Sequence, residues 1–225
     1  MRTLVARGVE AAEFDVRRTA DKILVVHHDE HWAGLTLERT SYAELRERGA
    51  PVRTLDDVLE AAAGRIAIDL ELKEAGYEDD VLSAVLARVE LERLIVTSFL
   101  DEVVRAVKLH TPAVRAGLIV GRRPTLRAPT RLLADAFPFE RLDGCGADFL
   151  VPHVLLLATG LHRRARNRGI PLLLWTVNDV ERVRAYLAEP GLLGVVTDSS
   201  AALEGPHSSS ATRWPFPAGS SPAER

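Results

Sequence analysis

The sequence predicts an α/β protein built on a parallel sheet, and three observations carry that expectation. Short apolar runs rich in Val, Ile and Leu recur along the chain with little strict alternation, as strands buried on both faces require. Stretches with helical periodicity lie between them. The β-then-α order repeats, which demands parallel strands joined by right-handed crossovers and leaves a (β/α)8 barrel or an open doubly wound sheet. At 225 residues and 47% hydrophobic content, the chain can bury roughly 70% of its unfolded surface. Barrels of this class fill that length range as one domain.

The apolar runs, in order, are "AAEFDV", "KILVVHH", "RIAIDLELK", "RLIVTSF", "RAGLIV", "ADFLVP", "PLLLWTV" and "GLLGVVTD". The helical stretches are "TSYAELRERG", "TLDDVLEAAAG", "YEDDVLSAVLARVEL", "LDEVVRAVKLH", "VLLLATGLHRRARNRG" and "DVERVRAYLAEPG". Thr54, with Asp57 three residues on, and Asn178 before "DVERV" read as N-terminal caps. Gly64, Gly169 and Gly191 stand where helices should stop. No glycine-rich phosphate loop opens a helix after the first strand, which weighs against a nucleotide-binding open sheet. The stretch "VGRRPTLRAPTRLLADAFPFERLDGCG" reads as a loop with one short helix. The end of the chain, "EGPHSSSATRWPFPAGSSPAER", is rich in Pro, Ser, Gly and Ala without any period. Residues 1–203 are therefore expected to form the folded domain and 204–225 a disordered tail.

One join breaks the parallel pattern. Only "RRTADK" separates the first two runs, too short for a crossover helix, so they should form an antiparallel hairpin. A turn centred on Ala20-Asp21 sets Glu13 opposite His28, and one centred on Asp21-Lys22 sets Asp15 there. Either register puts His28 on the face that carries both carboxylates, with the adjacent His27 on the other.

A formal charge of −3 gives no reason to expect a nucleic-acid or anionic-membrane surface. The single cysteine, Cys145, excludes an intramolecular disulfide and favours a reducing compartment. No apolar stretch approaches the roughly 18 residues that span a bilayer, and "MRTLVARGVEAAEF" has no signal-peptide core. A cytoplasmic location is the expectation.

Polar residues gather at the C-terminal ends of the apolar runs: Glu71 and Lys73, Ser98 and Phe99, Pro152 and His153, Trp175 and Asn178, Thr197 and Asp198. In a parallel barrel these ends meet at one mouth, where such enzymes place their chemistry. Glu71 and Lys73 on a buried strand must be matched by other charges or by a metal. Glu13, Asp15 and Glu71 offer oxygen only, which suits a hard cation, Mg²⁺ or Ca²⁺, better than zinc. Beside such a metal Lys73 would hold an anion, with phosphate the natural occupant. His28 would transfer a proton. The residues thus point to metal-assisted cleavage or transfer at phosphorus.

The same residues carry a resemblance. "GVEAAEFDVRRTADKILVVHHDE" resembles the Glu-x-Asp-Val, Thr-x-Asp and Val-x-His-Asp signature of the glycerophosphodiester phosphodiesterases. The likeness continues in order through "VRTLDDVLEAAAGRIAIDLELK", "IVTSF", "GADFLVP", "LLWTVND" and "GVVTD", from residue 8 to about 200. It implies a TIM barrel and a divalent cation, Mg²⁺ or Ca²⁺, on Glu13, Asp15 and Glu71. It also implies His28 as one of two catalytic histidines, Lys73 on the phosphate, and Phe99 and Trp175 as apolar walls. The substrates it implies are glycerophosphodiesters, small molecules cleaved to glycerol 3-phosphate and an alcohol when a glycerol hydroxyl attacks phosphorus to give a cyclic phosphate.

The chain also departs from that pattern. Family members begin with a strand ending His-Arg-Gly and then a Pro-Glu-Asn-Thr loop, and nothing here corresponds. A TIM barrel lacking its first strand, first catalytic histidine and phosphate-binding arginine is the expectation. His27, His110 and His153 offer no replacement. Either the given start lies downstream of the true one, or the chain is an impaired family member that binds phosphodiesters without cleaving them. An enzyme acting on whole lysophospholipids or sphingolipids would need an apolar apron, for which "LRAPTRLLADAFPF" is the candidate. Lys22 stands where the family usually has a turn glycine.

Overall fold

The computed structural model describes residues 11–62, 64–121 and 134–199. In chain order these form β1 (Ala11–Arg18), β2 (Leu24–Val26), β3 (His31–Trp32), β4 (Leu35–Thr36), α1 (Tyr42–Glu47), β5 (Arg53–Thr54) and α2 (Leu55–Ala62). There follow β6 (Ala67–Leu72), α3 (Glu78–Leu86), β7 (Leu94–Ser98), α4 (Asp101–His110) and β8 (Arg115–Val120). The described chain then continues with α5 (Phe139–Cys145), β9 (Phe149–Pro152), α6 (Leu161–Asn167), β10 (Leu172–Leu174), α7 (Val180–Leu187) and β11 (Leu192–Val195). All eight apolar runs become strands.

The main sheet has the order β11-β10-β9-β8-β7-β6-β1-β2-β5. Every pairing from β1 through β6 to β11 is parallel, and β2 is antiparallel to both β1 and β5. This is the wall of a (β/α) barrel, with the hairpin extending one end. Among the described residues no ladder joins β11 back to β1.

Burial on both faces explains why the runs do not alternate. Outward, Val16, Ile68, Leu70, Val96 and Leu118 pack with Leu59, Val81, Val104 and other helix residues into one large cluster. Inward, Ile95, Ile119, Phe149 and Val151 form a smaller cluster with Phe99 and Trp175 at its edge. Gly117 belongs to this inner packing, because a methyl group there would overlap the Phe149 ring. A third cluster, Val25, Leu37, Leu45, Ala50 and Val52, underlies the hairpin.

Local signals held at most joins. The Asp57 N–H donates to Thr54 Oγ1 at 3.1 Å, and Gly64, Gly169 and Gly191 adopt φ of 69°, 68° and 87°. The capping expected of Asn178 falls instead to Asp179, whose side chain accepts from the Arg182 N–H. The single helix expected over residues 154–169 is two pieces: a 3-10 segment, Val154–Thr159, then α6, separated by Gly160 at φ 77°. A left-handed residue cannot continue a right-handed helix, and glycine adopts it freely.

The hairpin register also differs from both expected alternatives. Val16 pairs with Val26, Arg17 with Val25 and Arg18 with Leu24, which extrapolates to Phe14 opposite His28. The cause is a three-residue turn, Ala20–Lys22, closed by Thr19 N–H to Ile23 C=O at 3.0 Å with Lys22 left-handed at φ 64°. Three-residue loops of this kind end on a left-handed residue, and their odd length centres the hairpin on a residue rather than between two. Residues 1–10, most of "LRAPTRLLADAFPF", and the expected boundary at 203 with the tail beyond it lie outside the described residues.

Candidate functional site

Side chains two apart on a strand share a face. Glu13, Asp15 and Arg17 on β1 therefore point the same way, as do Asp69 and Glu71 on β6. The parallel register sets Glu13 beside Asp69 and Asp15 beside Glu71, so four carboxylates meet on the inner face. Oxygens of Glu13, Asp15 and Glu71 all lie within 4.8 Å of one another. Lys73, just past the end of β6, places its Nζ 2.6 Å from Asp15 Oδ1 and 2.5 Å from Glu71 Oε1. These groups line a cleft of about 500 Å³ together with Phe99, Ile119, Val151 and Trp175.

The electrostatics follow from that crowding. Burial, reinforced by Asp15, Asp69 and Glu71, raises the Glu13 carboxyl from 4.5 to about 9 against the pull of Lys73. Burial lifts Asp69 from 3.8 to about 7, opposed by the hydrogen bond from Thr97 Oγ1 at 2.8 Å. Burial also raises Glu71, with Lys73 opposing it. Glu13 Oε1 is buried without a hydrogen-bond partner. A divalent cation fits this set. The donors are all oxygen, as hard cations prefer, and such an ion would both satisfy Glu13 Oε1 and offset the surplus negative charge.

Every site residue expected from the sequence lines this one cleft: Glu13, Asp15, His28, Glu71, Lys73, Phe99 and Trp175. His28 arrives by another route than expected. β2 stops at Val26, the His27 N–H makes a final bond to the Asp15 carbonyl at 3.0 Å, and the chain then bends, bringing His28 to the rim. Its side chain is 75% exposed and its Nδ1 lies 2.8 Å from Asp29 Oδ1. Phe99 and Trp175 meet edge to face, with centroids 5.5 Å apart.

The other polar strand ends divide. Asp198 lines the cleft, whereas Ser98 Oγ turns to the Leu72 carbonyl and Asn178 Oδ1 accepts from the Asp198 N–H and the Thr197 hydroxyl. His110 pairs with Asp79, and His153 stands edge-on to Trp175 at 5.0 Å. Arg17, Asp69 and Thr97 are among the lining residues that were not expected. For the first two the signal was available, since each lies two residues from an expected ligand on the same strand.

Residues 1–202 match the glycerophosphoryl diester phosphodiesterase family. The chain belongs to this family. A relative, the glycerophosphodiester phosphodiesterase of Caldanaerobacter subterraneus subsp. tengcongensis, is 26% identical over 223 residues, covering 87% of this chain and 85% of that protein. Among solved structures, the glycerophosphodiester phosphodiesterase of Thermotoga maritima superposes with a TM-score of 0.64 at 25% identity, covering 87% of this chain and 84% of that one. An Oleispira antarctica phosphodiesterase, solved in complex with the product sn-glycerol-3-phosphate, superposes with a TM-score of 0.71 at 19% identity, covering 90% and 88%. The likeness to these phosphodiesterases assigns the parallel sheet to the TIM-barrel class. Among the described residues no helix is long and apolar enough to cross a membrane.

Proposed function

We propose that this chain hydrolyses glycerophosphodiesters to glycerol 3-phosphate and an alcohol, with a divalent cation, Mg²⁺ or Ca²⁺, on Glu13, Asp15 and Glu71. The observation that carries the reading is the convergence of those three carboxylates, within 4.8 Å, beside the Lys73 ammonium. When bound, the cation neutralises phosphate charge and favours the extra negative charge of the transition state.

The chain's own residues divide the remaining work. Lys73 turns from its carboxylates to a phosphate oxygen. Phe99 and Trp175 enclose the carbon skeleton and exclude water. His28 moves the proton as the glycerol hydroxyl oxygen bonds to phosphorus and the phosphorus–alcohol bond breaks; the hydroxyl proton leaves with the alcohol. Water then opens the cyclic phosphate. Membership of the family and the lining of a single cleft by all seven residues support this assignment.

Calorimetric titration with Mg²⁺ and with Ca²⁺, beside a turnover assay on glycerophosphocholine, tests it. The wild type should bind a divalent ion and release glycerol 3-phosphate, and Glu13→Ala and Glu71→Ala should each abolish ion binding. Undiminished affinity in either variant rejects the ligand assignment. Ion binding without turnover would instead identify a family member that binds phosphodiesters without cleaving them.

A further inference from the structure

Arg17 lies on the same strand face as Glu13 and Asp15, but its guanidinium is engaged elsewhere. Its Nε and Nη2 donate to the backbone carbonyl of His28 at 3.2 and 2.9 Å, and its Nη1 pairs with Glu74 Oε1. The side chain is 11% exposed. Glu74 is held in turn: its Oε2 lies 2.9 Å from the Tyr77 hydroxyl, which is also 2.7 Å from the Val16 carbonyl, and its N–H donates to the Tyr77 oxygen.

These bonds matter because of where β2 ends. His28 stands beyond the last ladder bond, and among the described residues its imidazole hydrogen-bonds the carboxylate of the next residue, Asp29. Among the described residues, the hydrogen bonds that tie His28 to the sheet are the two from Arg17. The residue before Glu74 is Lys73. One guanidinium therefore spans β1 and joins the loop that carries His28 to the loop that carries Lys73. Lysine cannot reproduce this, since two donors on one carbonyl and a third on a carboxylate need the planar fork.

We infer that Arg17 is a positioning residue that sets the reach of His28 relative to Lys73 and the carboxylates. The inference rests on the reaction proposed above. A proton-transfer group works only within about 3 Å of its target, and displacement by about 1 Å costs up to about 100-fold in rate.

The test compares the wild type with Arg17→Gln, Arg17→Lys and Glu74→Gln in the full chain. Amide hydrogen exchange at residues 28–30 should quicken about tenfold in both Arg17 variants, with β6 and β7 unchanged, because a local tether has been lost. With glycerophosphocholine, kcat should fall about 100-fold while KM changes less than about threefold, and Mg²⁺ affinity should hold. Glu74→Gln leaves the bonds to His28 in place and should quicken exchange at 28–30 and 74–76 by a smaller factor. Wild-type behaviour of Arg17→Lys would reduce the role to charge and overturn the inference. A raised KM with unchanged kcat would make Arg17 a substrate contact and overturn it too. Should Arg17→Gln fail to fold, unchanged exchange in Glu74→Gln overturns it. The exchange arm needs no turnover, so an inactive wild type would reject the proposed reaction and leave the tether to be judged on its own.

Discussion

Asp15 and Glu71 are register partners on adjacent parallel strands, and the Lys73 ammonium sits between their carboxylates at 2.6 and 2.5 Å. Like charges on neighbouring strands repel, so the lysine is what makes this pair tolerable. The pair one step earlier, Glu13 and Asp69, has no lysine of its own; Asp69 has the Thr97 hydroxyl and Glu13 Oε1 has nothing. The barrel wall is thus built with more negative charge than its own side chains balance.

The first expected consequence is a stability that falls with pH when divalent ions are removed. Below 4.5 Glu13 is protonated both folded and unfolded. Between 4.5 and about 9 the folded protein retains a proton that the unfolded chain has released, so stability declines across that window. Asp69 adds to the decline between 3.8 and about 7. In EDTA, Tm should drop from pH 5 to pH 9, and millimolar Ca²⁺ or Mg²⁺ should restore it. Glu13→Gln should flatten the slope and abolish the restoration. Scanning calorimetry across pH measures both, and a flat wild-type profile would refute the account.

Lys22 carries the second expectation. At φ 64° it holds the turn that fixes the hairpin register, in a conformation that costs an L-residue about 1–2 kcal/mol. Lys22→Gly should raise Tm by about 2–4 °C for a chain of this size and leave ion affinity unchanged. Lys22→Val should lower it, since a β-branched residue resists that conformation. Thermal melts of the three proteins decide the matter.

That turn also explains what the sequence did and did not disclose. The shared face of Glu13, Asp15 and Glu71 was legible because a strand's period of two is rigid. The register was not, because a lysine gives no sign of a left-handed turn position, and so His28 reached the site by a bend rather than by alternation. Asp69 was legible in principle from "AIDLEL", two residues from Glu71, but apolar neighbours on both sides hid it as part of a buried run. The break at Gly160 was masked by the apolar and basic helix formers that flank it. Spacing brought the three carboxylates together; backbone conformations set by single residues decided how His28 meets them.

The third expectation concerns the inner core. Gly117 faces Phe149, which is fully buried, and a methyl group has no room beside that ring. Gly117→Ala should destabilise by about 1–3 kcal/mol, the usual cost of overpacking, measurable by chemical denaturation. Phe149→Leu in the same background should recover part of the loss, because the two sites share one contact and their effects should not add. Additive losses would mean that the strain is relieved elsewhere.

The last expectation separates the apolar wall from the charged one. The Trp175 indole N–H donates to the Val151 carbonyl at 2.9 Å and approaches that of Val120 at 3.3 Å, while its ring meets Phe99 and His153 edge to face. The ring is therefore fixed before any substrate arrives, and the apolar contact proposed for it would carry no ordering cost. Trp175→Ala should raise KM for glycerophosphocholine about tenfold, which corresponds to about 1.4 kcal/mol. Trp175→Phe keeps a ring but abandons the carbonyls, so its KM should fall between the two. Ion affinity should be the same in all three proteins, because the hydrogen bonds and ring contacts of Trp175 go to Val120, Val151, Phe99 and His153 rather than to the carboxylates. Loss of ion binding with unchanged KM would place Trp175 in support of the metal ligands and contradict its role as a wall.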